Sequence, residues 1–203
     1  MYLIIKRLFD IIISLIGMIF LIILTILFKI MYMLTGDFHH IFYTHERIGK
    51  DGNKFKLIKF RTMCINSEEI LNKLLKNPKV RKEWEEHYKL DNDPRVTKVG
   101  RILRKTSLDE IPQVINIFLG QMSLIGPRPL TMGEVLEYKK DRFKLLSVKP
   151  GLTGWWGVNG RSNTTKKERM KLELYYVDHI SFMLDVKIFF MTFAKVIKGD
   201  GAQ

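Results

Sequence analysis

Eighteen consecutive residues without a charge, Ile11 to Phe28 (IIISLIGMIFLIILTILF), constrain this chain more than any other feature. As a helix they would run about 27 Å, enough to cross a bilayer core. A cleaved signal peptide fits poorly, because the run exceeds a usual apolar signal region and no Ala-x-Ala-like site follows. A buried soluble helix fits poorly too, since the run is apolar all round rather than along one stripe. The expectation is a membrane anchor over residues 1–36 and a separate domain over 37–203. Lys6 and Arg7 precede the run, and Lys29 with a strongly basic remainder follows it. Positive charge on both flanks favours the cytoplasmic side for both ends. A straight span breaks that rule on one side, whereas a re-entrant helix satisfies it. Return requires a break in the helix, usually at proline. None lies between Met1 and Asn77, so Gly17, with Ser14 nearby, is the only candidate hinge. Both arrangements stay open at this point.

The chain has 203 residues and a formal net charge of +13, which predicts an anionic partner: nucleic acid, anionic lipid or a phosphorylated substrate. Its single cysteine, Cys64, excludes an internal disulfide and a cysteine-built metal site. The five histidines lack the spacing of a zinc site. Lys59, Arg61, Arg101, Arg104 and Lys105 could form a nucleic-acid patch, but no helix-turn-helix, zinc-finger or RNP-like motif accompanies them. The expectation is no nucleic acid.

Residues 41–63 read as a β-hairpin turning at Lys50-Asp51-Gly52-Asn53. Asn66 and Glu69 resemble a capping box opening a helix, Pro78 interrupts it, and a second charged helix spans 79–88. Residues 90–100 read as a loop. Helical patterns resume at 111–119 and 131–146, and a loop over 149–163 precedes a helix over 166–179. The stretch 180–197 carries Phe182, Phe189, Phe190 and Phe193. It suits a core helix or an interfacial one with its rings among lipid headgroups. The fold class is therefore α+β, mostly helical, with a short hairpin.

The chemistry concentrates in residues 105–129, KTSLDEIPQVINIFLGQMSLIGPRP. Asp109 and Glu110 lie just after Arg104 and Lys105, and Arg128 stands between Pro127 and Pro129. A carboxylate can attack phosphorus or hold a divalent ion, while arginines bind phosphate oxygens bidentately. The plainer reading of Ser107 and Glu110 is a capping box, with Asp109 an exposed first-turn acid. The helix dipole and neighbouring cations would keep Asp109 ionised. Pro112 sits badly in such a helix, which either starts near Pro112 or begins distorted. Pro127 to Pro129 form a stiff segment that aims Arg128.

With these residues in view, the chain resembles the bacterial sugar transferases, polyprenyl-phosphate sugar-1-phosphate transferases that begin lipid-linked glycan assembly. The matching stretches are KRLFDI at 6–11, ERIGKDG at 46–52, KFRTM at 59–63, DPRVTKVGRILRKTSLDEIPQ at 93–113 and MSLIGPRPL at 122–130. VKPGLTG at 148–154, NGRS at 159–162 and LYYVDHISFMLDVKI at 174–188 match as well. The resemblance implies a small monotopic catalytic domain on the cytoplasmic face of the bacterial inner membrane, with a re-entrant helix. It implies Asp109 and Glu110 as a catalytic, metal-binding dyad using Mg²⁺, and transfer through a covalent phosphosugar-aspartyl intermediate. UDP-sugar and undecaprenyl phosphate are the implied substrates. Arg104, Arg128, Pro127, Pro129, Lys59, Arg61, Asn159 and Arg161 are the implied substrate- and phosphate-binding set. Membrane lipid is an implied partner, and a homodimer is one open oligomeric state. Relatives usually carry Ser-Pro at the helix break, where this chain reads LIGMIFLIIL, and Trp155-Trp156-Gly157 replaces their Leu-Trp-Gln or Trp-Ala-Gln. A rival reading is a membrane-anchored protein that recruits acidic partners without catalysis.

Overall fold

The computed structural model describes residues 2–87, 90, 93–160 and 164–198. Helix α1 (Tyr2–Leu34) is 33 residues long, about 50 Å of continuous helix. It runs as continuous helix through Ser14 and Gly17, the candidate hinge. Ser14 Oγ donates to the Ile11 carbonyl at 2.9 Å without ending the helix. Gly17 serves packing instead: a Cβ on it would stand 2.8 Å from Val114 Cγ1. Although the sequence looks apolar all round, one stripe is buried, through Asp10, Ser14, Leu21, Phe28 and Tyr32. Leu3, Leu8, Ile12, Ile19, Ile23 and Ile30 remain exposed.

Both ends of α1 are fastened to the rest of the chain. Near its start, Lys6 Nζ donates to Asp185 Oδ2 at 2.6 Å and to the Ile125 carbonyl at 2.8 Å. Arg7 donates to the Ile117 and Phe118 carbonyls at 2.7 Å each. Asp10, buried, accepts from Ser123 Oγ at 3.0 Å and the Leu124 amide at 2.8 Å. Near its end, Lys29 Nζ donates to the Phe38 and His39 carbonyls at 3.0 Å, and the Tyr32 hydroxyl donates to the Arg61 carbonyl.

Strands β1 (Phe42–Ile48) and β2 (Lys54–Phe60) form the expected antiparallel hairpin, with Phe42 opposite Phe60 and Ile48 opposite Lys54. Its turn places Asp51 at φ 58° and Gly52 at φ 80°, the region that an Asp-Gly pair tolerates. Helices α2 (Ser67–Leu74) and α3 (Pro78–His87) follow, although the Asn66 side chain does not cap α2. Helix α4 (Lys98–Thr106) begins inside the segment read as loop, capped by Thr97, which accepts from the Gly100 amide at 2.9 Å.

Ser107 ends α4 in the left-handed region, φ 56° and ψ 18°, and its side chain caps nothing in the 3₁₀ turn Leu108–Glu110. The expected Ser107–Glu110 capping box is therefore not formed. Helix α5 (Gln113–Phe118) starts after Pro112, where proline's missing N–H does no harm. Strand β3 (Ser123–Ile125) leads to α6 (Met132–Glu137), a 3₁₀ turn at Lys139–Asp141 and α7 (Arg142–Leu145). The single helix expected over 131–146 is thus broken, at Lys139 with φ 50°. Strand β4 (Gly151–Thr153) pairs parallel with β3, a second small sheet in a region read as loop. Glycine permits it, because a Cβ on Gly151 would lie 2.1 Å from the Gly126 nitrogen. Helices α8 (Trp155–Asn159), α9 (Lys166–Asp178) and α10 (Phe182–Lys198) complete the chain.

Leu21, Phe28 and Tyr32 of α1 share one core cluster with Phe60, Leu103 and Val114. On α10, Ile188 is fully buried and Phe189 packs against the core, while Phe182, Phe190 and Phe193 are exposed. Phe9 of α1 meets Phe189 edge-on, 6.2 Å between centroids, joining the two exposed apolar surfaces.

The Gly17–Val114 contact sets an expectation. Gly17→Leu should cost on the order of 1–3 kcal/mol through overpacking, and Val114→Ala in the same chain should recover part of it. Thermal unfolding of the four chains in detergent measures the coupling. Simple additivity would mean that the glycine does not serve this packing.

Candidate active site

The dyad is positioned by the strained end of α4. The left-handed Ser107 and the tight turn after it bring Asp109 and Glu110 beside β2. There Lys59 Nζ donates to Glu110 Oε1 at 2.7 Å, with both side chains only partly exposed. Asp109 is partly buried, and burial raises its carboxyl above the usual aspartate range. Lys59 and Arg104 oppose that shift, and the Glu110 charge adds to it. The cations were expected to dominate; desolvation is the larger effect. Arg104, half-buried, donates from Nε to Thr62 Oγ1 at 3.0 Å and acts on Asp109 through its charge.

A cleft of about 760 Å³ opens beside the turn. Its lining includes the charged Lys59, Lys105, Glu110 and Arg128 and the apolar Leu152, Val158, Phe189 and Phe193. Asp109 is not among the lining residues, although its neighbours Ser107 and Glu110 are. The stiff segment behaves as the sequence suggests: Pro127 is buried, Pro129 lines the cleft, and the Pro127 carbonyl accepts from the Gly151 amide at 2.7 Å. Arg128 stands exposed between them, its guanidinium 5.7 Å from the Trp156 ring centroid. Arg169 lies 5.8 Å from the same ring centroid. Arg47 also lines the cleft, and burial with the charges of Arg47, Lys59 and Arg128 pushes His45 down to about 4. His45 is therefore neutral at physiological pH.

Of the expected phosphate-binding set, Arg104 and Pro127 are not among the lining residues, and Arg61 and Asn159 stand elsewhere. Arg61 is 4% exposed and its donors are spent internally, on the His40 carbonyl at 2.8 Å, the Met63 carbonyl at 3.1 Å and Asp37 at 2.9 Å. It also stacks over Tyr32, 4.6 Å from the ring centroid, so it ties α1 to the hairpin instead of reaching the cleft. Asn159 is exposed and donates to the Trp155 carbonyl one turn back at 2.8 Å, away from the cleft lining. Arg161 lies outside the described residues. Arg47 and Glu173, both lining the cleft, were not picked out from the sequence. Arg47 stands in a matched stretch and alternates with its neighbours as a strand residue does. Glu173 gave no usable signal, because α9 shows no apolar stripe from which a buried acid could be told.

A Mg²⁺ ion fits the donor set here. It favours oxygen ligands and uses one or two carboxylates plus substrate phosphates and water rather than a full protein cage. Asp109 and Glu110 supply two such carboxylates, and no larger acidic or histidine cluster exists among the described residues.

Comparison with known proteins shows the family. A family model described as bacterial sugar transferase matches residues 1–199. The chain is 43% identical over 198 residues to an undecaprenyl-phosphate galactose phosphotransferase of Salmonella typhimurium, covering 97% of this chain and 41% of the relative. It is 41% identical over 200 residues to the exopolysaccharide production protein ExoY of Sinorhizobium fredii, covering 97% and 87%. It is 39% identical over 163 residues to a UDP-glucose:undecaprenyl-phosphate glucose-1-phosphate transferase of Escherichia coli, covering 76% and 32%. The chain spans about two fifths of the first of these and a third of the last. With the dyad, the Pro-Arg-Pro segment and the apolar helix all inside the matched region, the chain belongs to the bacterial sugar transferase family.

Proposed function

We propose that this chain transfers a sugar-1-phosphate from a UDP-sugar to undecaprenyl phosphate and releases UMP. The observation that carries the reading is the cleft itself. Its lining combines Glu110, Lys59 and Arg128 with apolar residues that include Phe193, which belongs to the exposed surface of α10. A donor with two phosphates suits the first, a polyprenyl chain the second. The relatives' printed names, which specify undecaprenyl phosphate with galactose or glucose, support the same substrates.

In the proposed reaction an Asp109 carboxylate oxygen attacks the phosphorus that bears the sugar. A new O–P bond forms, the bond to the UMP oxygen breaks, and UMP leaves with that electron pair. A phosphate oxygen of the lipid then attacks the same phosphorus and the carboxylate departs. Mg²⁺ held by Asp109 and Glu110 would neutralise charge on the phosphate oxygens. Lys59 fixes Glu110, Arg128 offers a planar fork to the phosphates, and Arg104 offsets the charge of Asp109. Trp156, which lines the cleft near the Arg128 and Arg169 guanidiniums, would contact the sugar or base.

The proposed location is the bacterial inner membrane, with the catalytic domain on the cytoplasmic face. The fastening of α1 to the domain at both Lys6 and Tyr32 supports this. A helix held along a polar domain at both ends cannot carry one end across the hydrocarbon alone. The exposed face of α1 and the rings of α10 would then sit in the same leaflet.

Asp109→Asn should reduce UMP release below detection, assayed with a panel of UDP-sugars and undecaprenyl phosphate. Arg128→Lys keeps the charge but loses the fork and should fall markedly, whereas Lys171→Gln on α9 should matter little. Substantial turnover by Asp109→Asn would sink the covalent route. Topology has its own test, in a Cys64→Ser chain with a cysteine added ahead of Met1. Tyr2 is left intact because its hydroxyl donates to Asp185 at 2.6 Å. Protection from an impermeant thiol reagent on intact cells, with labelling after permeabilisation, is the expected result; labelling on intact cells would mean a true span.

A further inference from the structure

Glu173 is 1% exposed, yet it lines the cleft. Its position on α9 is four residues after Arg169, where a helical ion pair is expected, but Arg169 instead reaches Glu134 at 3.4 Å. Both Glu173 oxygens accept from one donor, the Arg128 amide, at 3.2 and 3.1 Å. That amide is the sole backbone N–H of the Pro127-Arg128-Pro129 segment, because proline has none. A buried carboxylate thus grips the one available handle of the segment that carries the exposed arginine of the cleft.

We propose that Glu173 is a positioning residue for Arg128: its ionised carboxylate holds the Arg128 amide and sets the guanidinium in the cleft, and binding a proton loosens that hold. The proposal rests on the phosphosugar-transfer reading only for its activity readout.

The surroundings support a group that changes its charge near neutrality. Arg128 faces Glu173 from the loop, Arg169 from its own helix and Tyr138 from the end of α6. From α7, Lys144 is engaged with Asp178 at 2.5 Å, and α8 contributes no charge. Beyond them Glu134 takes both Arg47 and Arg169. Burial outweighs the nearby cations and pushes Glu173 up to about 7. The Tyr138 hydroxyl is buried without a hydrogen-bond partner and is raised above its ordinary range by burial and by the Glu173 charge. Because the folded state raises this carboxyl, its ionisation works against folding. The stability it contributes is fully present below the usual glutamate range and is lost as pH rises through about 7. A group that costs stability when charged, yet is charged when it grips Arg128, is placed for function rather than for folding.

Glu173→Gln keeps a carbonyl acceptor for the Arg128 amide but cannot titrate. In the parent, kcat/KM for UMP release should fall about tenfold between pH 8 and pH 6, as a group titrating near 7 loses its ionised share. The Gln variant should be slower than the parent at pH 8 and should lack this acid limb. Two readouts need no turnover. The parent should show an infrared carboxylic-acid band that titrates near pH 7 and is absent from the Gln variant. The melting temperature of the variant relative to the parent should rise from pH 5 to pH 8. Retention of the acid limb in Glu173→Gln, or parental kcat/KM at pH 8, would overturn the proposal. If the parent releases no UMP from any UDP-sugar, the transfer reading fails alone. A missing infrared band or an unchanged melting difference would then overturn the role given to Glu173.

Discussion

The ion pair between Lys6 and Asp185 joins the first turns of α1 to α10, and much of the structure is arranged around it. Asp185 is nearly buried and accepts from Lys6 at 2.6 Å, Tyr2 at 2.6 Å and Tyr176 at 2.7 Å. A buried carboxylate stripped of such partners would be costly, because desolvation of an unpaired charge exceeds what packing returns. Lys6 also reaches the Ile125 carbonyl, so one ammonium connects α1, β3 and α10. From this point the stripe of α1 runs through Asp10 and Ser14 to Gly17, where the missing side chain lets Val114 of α5 close in. The register of α1 places α5, and α5 follows directly on the turn that bears Asp109 and Glu110. An anchor and a catalytic domain that look separable in the sequence share one core.

That continuity explains which features were legible in the sequence. The hairpin, the apolar helix and the helices over 166–179 and 182–198 followed from turn chemistry and local pattern. The failures lie where tertiary contacts replace local signals. The Ser107–Glu110 spacing reads as a capping box, yet Ser107 is left-handed and Glu110 is held by Lys59 from a strand 51 positions away in sequence. The capping boxes that do form, Thr131 with Glu134 and Thr165 with Glu168, have the same spacing and no obstructing proline. The β3–β4 sheet is invisible to propensity, because its strands are three residues long and depend on glycine-to-glycine approach. Arg61 shows the same limit at the site: a cation in a matched motif is equally consistent with binding phosphate and with closing a fold.

The electrostatics of the cleft oppose one another by design of burial rather than by sequence charge alone. Burial raises Asp109 and Glu173 and lowers His45 and Arg47, each away from its charged form. Lys59, Lys105 and Arg128 nevertheless leave the polar part of the cleft rich in positive charge. A phosphate-bearing substrate of the proposed kind would complement these cations, but its charge would oppose ionisation of Asp109 and Glu173 while favouring the protonated form of His45.

Burial of Asp109 also bears on the fate of the proposed intermediate. An acyl phosphate is high in energy, comparable to the pyrophosphate of the donor, so transfer to it and from it is close to balanced. Its hazard is water, which would hydrolyse it before the lipid arrived. A carboxylate partly buried beside the cleft, and not among its lining residues, is shielded from bulk solvent by the same packing that raises its affinity for a proton. In the proposed reaction, the shift that makes Asp109 more basic would also make it a stronger nucleophile once ionised, with Lys59 and Arg104 opposing that shift. In the proposed reaction the apolar lining residues of the cleft, among them Phe193 on the exposed face of α10, would take the lipid chain.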